Sequence, residues 1–500
     1  MPSHTAAAEW RNCHENSREN YMTVSEFESY LQKGLGRAIL LLRKEPVKTP
    51  FRDPVWNHAI HDPRYDRQYN APRGHYIKEL FDCFSDSDAL LSELFRIYGE
   101  DLGDPEDRWY YIENLFELAR EHIEGASAAL DSMYCILFEN LLTLPNPLTD
   151  GRDRERDAYF LAAERRYCLN HAVLSDLVRA SVTLLQQSNR YRITDFTDFF
   201  DARIRVSQNE EFTAILAAIE KESPSYKSIV DSYRKESHGL PSERETAKEN
   251  RLPALINWQD AIDFAIQAGH PRIPVKKSLW QNLSAEDKEE IARLAEEESD
   301  PLLRTVLLSQ LRRYGEEILG CYPRDPSPLI AELEENAHVA FPFSSENMLI
   351  WELSRMTAKI RHPAVRDFAL RSLSKYAENP ESILYSSVIE AWMNNYRSED
   401  ADALTTFAAS ITDTDILHRT GLELLNTEQQ IPEQVLLYLY ENNPCSDCRN
   451  RIFMSLMARY DDMTNLPDPL ALIREEAKLD CDYGTRKMAR AKSIKKEESE

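Results

Sequence analysis

The sharpest chemical spacing in the chain is Cys445-Ser446-Asp447-Cys448. Two thiols three residues apart at a helix start can hold a soft metal ion or cycle as a dithiol pair, because the positive helix end favours the thiolate. A structural zinc needs four ligands, and neither a second CxxC nor a paired histidine follows. Cys481 and His418 would have to complete a set of unusual spacing. The expectation is two buried thiols with no metal and no redox cycle. Asp413, Asp415 and His418 read as a helix cap, a first-turn carboxylate and an incidental histidine. A second group lies between Thr49 and Gly74, where Trp56, His58, His61, Tyr65 and Tyr69 mix with four prolines and with Asp53, Asp62 and Asp66. Histidine beside carboxylate can bind metal or move protons. The prolines predict an aromatic loop with one short helix, which serves either as a lid over an open apolar end or as a binding surface. Trp56, Tyr65, Tyr69 and Arg73 here, with Trp392 and Tyr396 at a later helix end, are the candidate partner-binding residues. No HExxH, Walker A loop, GxGxxG or GxSxG is present, so no catalytic residue and no cofactor is assigned.

These side chains must be positioned almost entirely by helices. Thirteen glycines in 500 residues fall well below the usual share of about 7%, and tight hairpins and phosphate cradles need glycine. Near the start, Tyr21 to Leu42 predicts one helix with Ser25 as its cap. The stripe Trp109, Ile112, Leu115, Phe116, Ala119 predicts a core face, and the charged run Asp150 to Asp157 predicts a solvated helix face or turn before a helix from Ala158 to about Gln187. TDFTDFFD, residues 194–201, predicts a capped helix start.

The strongest regularity is in the second half. Helix starts recur at Pro328, Pro363, Ser398, Pro432 and Pro467, every 34 or 35 residues, with second starts near Ser344, Pro380, Asp413, Ser446 and Asp482. Ser284 and Pro301 open an earlier pair. Val365, Phe368, Leu373, Leu384, Val388 and Trp392 make apolar stripes that one helix hairpin cannot bury alone, which is an α-solenoid signature. The openings Asp300-Pro301-Leu302-Leu303-Arg304 and His362-Pro363-Ala364-Val365-Arg366 resemble those of the HEAT and armadillo class, and Asp482-Tyr483-Gly484-Thr485-Arg486 is a degenerate third copy. The resemblance spans residues 284–490. It implies a curved stack of helix pairs that binds something along one face.

The expected fold is therefore all-α: a leader at 1–20, an N-terminal helical domain at 21–235, a hinge at 236–253, HEAT-like repeats at 254–490 and a charged tail at 491–500. A net charge of −25 and a pI near 5.0 oppose nucleic acid and anionic membranes and favour a protein partner with a basic surface. The basic run Lys487, Arg490, Lys492, Lys495 and Lys496 is the exception. No apolar run spans a bilayer, and the cysteines are not spaced as a disulfide framework, so a cytoplasmic protein is expected. The reading is a noncatalytic interaction scaffold or adaptor. Two alternatives stay open: an acidic immunity or inhibitor protein, and an enzyme using His58, His61 and Asp66. Oligomeric state is not encoded legibly.

Overall fold

The computed structural model describes residues 22–491 apart from 66–70, 101–106, 144–151, 188–209, 223, 238–256, 268–276, 281–282, 337–344, 378–381, 383, 427–430 and 464. The expected leader, most of the expected hinge, nearly all of the charged tail and the run at 194–201 lie outside the described residues. Within them, 25 α-helices and three short 3-10 turns account for the regular structure, and no β-strand occurs. The chain forms two compact units, residues 1–243 with 461–500, and residues 244–444 with 448–460. Residues 445–447 group with the first unit. They lead into one continuous helix, Ser446–Met457, whose remaining turns belong to the second, so that helix is taken whole with the second unit.

The first unit opens with α1 (Val24–Lys33) and α2 (Gly36–Lys44). The single helix expected here is two. Thr23, not Ser25, caps the first, its side chain and that of Glu26 each accepting the other's backbone N–H. The break falls at Gly34, with φ +75°, a region glycine enters without steric cost. Next, α3 (Thr49–Ile60) occupies half of the stretch read as a loop. Pro50 stands in the first turn, where its missing N–H costs nothing, and Pro54 forfeits one internal bond, to the Pro50 carbonyl.

The unit continues with α4 (Gly74–Phe81), α5 (Ser87–Glu100), α6 (Arg108–Arg120), α7 (Ala126–Thr143), α8 (Arg152–Leu169), α9 (Leu174–Gln187), α10 (Glu210–Glu220) and α11 (Pro224–Ser237). Helices two apart lie side by side: α1 with α3, α2 with α4, α4 with α6, α5 with α7 and α6 with α8. That is the pairing of stacked hairpins. Two expectations are corrected. Arg152–Asp157 is already helical, with Arg108 paired to Glu155 across to α6. Trp109 is 39% exposed, while Tyr110 and Tyr111 are buried and Tyr111 stacks on Tyr98 at 4.1 Å. Apolar residues ring α6, so its buried face is chosen by the helices beside it and not by its own stripe.

The second unit comprises α12 (Trp258–Gln267), α13 (Ala285–Glu297), α14 (Pro301–Tyr314), α15 (Glu316–Leu319), α16 (Ser327–Glu335), α17 (Ser345–Thr357), α18 (Pro363–Ala377), α19 (Tyr385–Asn394), α20 (Ala401–Ser410), α21 (Thr414–Leu425), α22 (Glu433–Asn442) and α23 (Ser446–Met457). The predicted starts at Ser284, Pro301, Pro363, Asp413, Pro432 and Ser446 are helix caps or first residues. Ser398 instead begins a 3-10 turn before α20. The start expected at Pro380, itself outside the described residues, comes at Tyr385. The helices form two layers. In one, α16 packs on α18 and α20 on α22; in the other, α14 packs on α17, α17 on α19 and α19 on α21. Val365, Phe368, Leu384 and Trp392 are buried between them.

The arginine of each HEAT-like opening spans neighbouring elements. Arg304 grips Glu332 through both terminal nitrogens, at 2.9 and 2.7 Å, and Arg366 pairs with Asp400. Burial alone would raise the Asp400 carboxyl, but hydrogen bonds from Arg366 and the Arg397 N–H hold it below its ordinary value.

The chain ends back in the first unit with α24 (Asp468–Ala477) and α25 (Tyr483–Arg490). The sequence reading had placed these residues with the C-terminal array. Instead α24 packs on α2, the Cys481 N–H donates to the Gly34 carbonyl at 2.9 Å, and Arg37 Nε pairs with Glu476 at 2.7 Å. A Cβ on Gly36 would stand 1.9 Å from the Glu476 carbonyl oxygen. Arg486, the third opening arginine, is buried and pairs with Glu117 at 2.7 Å.

Two expected outcomes test this packing by urea unfolding. Gly36→Ala should lower stability by about 1–3 kcal/mol through overpacking. Trp392→Ala should cost about 3–5 kcal/mol. Wild-type stability in either variant would contradict the corresponding contact. Asp400 has its lowered pKa only in the folded state, so it contributes stability above the unfolded value of 3.8. That contribution should fade as pH falls below about 4, and Asp400→Asn should flatten the acid limb of the stability profile.

Candidate functional site

The candidate residues of the N-terminal stretch are mostly spent on structure. Trp56 is half-buried on α3 and stacks on Phe81 at 6.0 Å; Tyr65 is exposed; Tyr69 and Asp66 lie outside the described residues. Arg73 is fully buried, donating to the carbonyls of Leu31 at 2.7 Å and Gln32 at 2.9 Å. Its guanidinium is 3.3 Å from His58 Nε2. Burial first, and the Arg73 charge second, push the His58 pKa well below its ordinary value, so the ring is neutral. His61, with its side chain 70% exposed, sits 3.7 Å from Asp107. One histidine is inside the core and the other outside it, so the two do not converge on a common site. In the second unit, Trp392 is buried edge-on to Phe407 and Tyr396 is half-buried beyond the end of α19.

What the second unit does assemble is a charged groove of about 480 Å³. Its walls come from the layer α14, α17, α19 and α21 and the turns after α14 and α17. Its charged lining is five cations, Arg312, Arg313, Arg355, Lys359 and Arg361, and three acids, Glu316, Glu390 and Glu423. Arg312 is anchored, with Nε on Glu352 at 2.8 Å and its guanidinium over the Trp351 ring at 5.0 Å. Lys359 donates to the Arg312 carbonyl at 3.0 Å, a neutral partner that leaves its charge uncompensated there.

Arg355 lies between two carboxylates. Its Nη1 is 3.1 Å from Glu390 Oε2 and 3.5 Å from Glu423 Oε1. The Glu390 contact has ion-pair distance without hydrogen-bond alignment, so that buried oxygen is held by charge alone. One cation cannot neutralise two acids. The Glu423 pKa is raised, by burial foremost and by the Glu390 charge as well, with Arg355 opposing both. The groove thus sets two acids around the single cation Arg355, and Lys359 and Arg361 add positive charge to the same lining.

Sequence reasoning missed these residues, although a signal existed. Arg355, Glu390 and Glu423 are 35 and 33 residues apart, one per repeat, and stacking places equivalent positions side by side. Superposing the repeats residue by residue would have drawn them together.

No family model matches the chain, and no curated protein matches its sequence. Among solved structures the chain is similar to the karyopherin Kap121p, solved bound to the SUMO protease Ulp1p, at 13% identity and a TM-score of 0.25, over 97% of this chain. This chain spans 55% of that one.

A raised carboxyl pKa costs stability at neutral pH, because the folded state must hold a charge it disfavours. Glu423→Gln should therefore leave stability at pH 7 equal to or above wild type. Acidifying wild type from pH 7 toward 5 should relieve the same cost. A marked loss of stability in Glu423→Gln, measured by thermal unfolding, would contradict this account.

Proposed function

We propose that this protein is a noncatalytic scaffold that binds another protein, with the groove of the second unit as the docking place. The observation that carries the reading is the pair Glu390 and Glu423 sharing one arginine. A lysine or arginine of a partner would supply the missing cation, and an acidic group beside it would meet Lys359 and Arg361. Such a partner presents a basic residue within a mixed-charge patch, which suits the overall charge of −25. Charge complementarity of this kind sets encounter rate and register more than bulk affinity. The acidic inhibitor reading is a special case with the same contacts. Within the described residues of the N-terminal stretch, His58 and His61 form no joint acid–base pair, and nothing there favours turnover.

The test starts from full-length protein cross-linked in cells, followed by titration of the purified partner. Association should slow as salt rises, because the Debye length falls from about 10 Å at 0.1 M to about 3 Å at 1 M. Glu390→Gln with Glu423→Gln should weaken binding by roughly tenfold or more, the order expected for a charged contact. Binding indifferent to salt and to the groove variants would remove the groove from the account. Substrate turnover abolished by His58→Ala would replace it with an enzyme.

A further inference from the structure

We infer that His418, Cys445 and Cys448, brought together near the starts of α21 and α23, form a zinc-binding site. The sequence supplied the CxxC pair and left it two ligands short; the fold supplies a third. One ligand atom from each of the three residues lies within 4.8 Å of the other two. Metal–sulfur bonds of about 2.3 Å in a tetrahedral centre place two thiolates about 3.8 Å apart. Closing the observed triangle around an ion is thus a matter of side-chain rotation, about 1 Å at most.

Three features of the fold hold this arrangement without reference to a metal. Asp413 caps α21, its carboxylate accepting the N–H groups of Asp415 and Ile416, and so fixes the turn that carries His418. One turn later on α21 comes Gly421, whose added Cβ would stand 2.7 Å from Asn443 Nδ2. The missing side chain leaves room for the Asn443 amide, which belongs to the turn that leads into Cys445. Finally, Arg449 is fully buried and donates to the carbonyls of Asn443 and Pro444 at 3.2 and 3.3 Å, clamping that turn onto the start of α23.

The donor set selects the ion. Two thiolates and an imidazole suit zinc and exclude calcium and magnesium, which take oxygen. Both sulfurs are buried and lie at the first turn of the twelve-residue helix α23, whose positive end favours thiolate. On binding, each thiol forms a sulfur–zinc bond and loses its proton to solvent; no electrons are transferred. Cys481, which spacing suggested as a further ligand, instead lies against Gly34 in the first unit. Among the described residues the group stops at three protein ligands, so a water takes the fourth position. The half-buried His418 side gives that water its access.

The test uses the full-length, reduced and chelator-stripped protein, with Co²⁺ and then Zn²⁺ as the probes. One equivalent of Co²⁺ should bind with thiolate charge-transfer absorption and the strong visible bands of tetrahedral cobalt, and Zn²⁺ should displace it. His418→Ala should weaken Zn²⁺ binding at least tenfold, and Cys445→Ser with Cys448→Ser should abolish the thiolate band. Cys83→Ser, a buried cysteine elsewhere, should leave both unchanged. Absence of a thiolate–cobalt band in the wild-type protein overturns the proposal whatever the variants do. So does zinc binding that survives the double serine variant, or a Cys445–Cys448 disulfide as the stable form under cellular thiol conditions.

Discussion

A backbone approach at Gly34–Gly36 governs the first unit. The turn between α1 and α2 has its carbonyls taken by groups from distant parts of the chain: Leu31 and Gln32 by Arg73, Leu35 by the Tyr76 hydroxyl, and Gly34 by the Cys481 N–H. Buried carbonyls left without donors cost free energy comparable to a lost hydrogen bond, so each of these contacts helps hold the turn in place. The last of these comes from the segment that follows α24, and α24 can lie against α2 only because residue 36 has no Cβ. Arg73 is thus held inside the fold by the turn it serves.

In the second unit a different constraint repeats itself. A helix opening that ends in arginine places the guanidinium where it reaches an acid in a neighbouring element, Glu332 for Arg304 and Asp400 for Arg366. Breaking one member of such a largely desolvated pair is costly, because the other charge is left behind. The same regular stacking that brings these pairs together also brings Arg355, Glu390 and Glu423 together, where the stoichiometry does not balance. Structure and candidate site thus arise from one geometric rule, with balanced pairs at Arg304 and Arg366 and an unbalanced set at Arg355.

Much of this was legible in the sequence where a local rule decides the outcome. Proline at a first turn, Asp413 as a cap and the spacing of 34 or 35 residues are such rules, and helices of the second unit begin at Pro301, Pro363, Asp413, Pro432 and Ser446 or one residue beyond. The misreadings share a cause. Gly34 divides a continuous apolar pattern because the turn is needed for a contact with Cys481, far along the chain. Trp109 faces out because its neighbours, not its own periodicity, set the phase of α6. His418 looked incidental because its distance from Cys445 in sequence hides the close approach at Gly421. Long-range approach is the information a single helical pattern lacks.

The return of residues 461–500 to the first unit has a consequence for the order of events during synthesis. The pair Arg37 and Glu476 is separated by 439 residues, so α2 emerges from the ribosome long before its partner exists. A chain growing at roughly 5–20 residues per second leaves that face of α2 uncovered for on the order of a minute or less, while the second unit folds on its own local contacts. Non-local closure slows folding more than it weakens the final state. The first unit, though made first, is the one that must finish last.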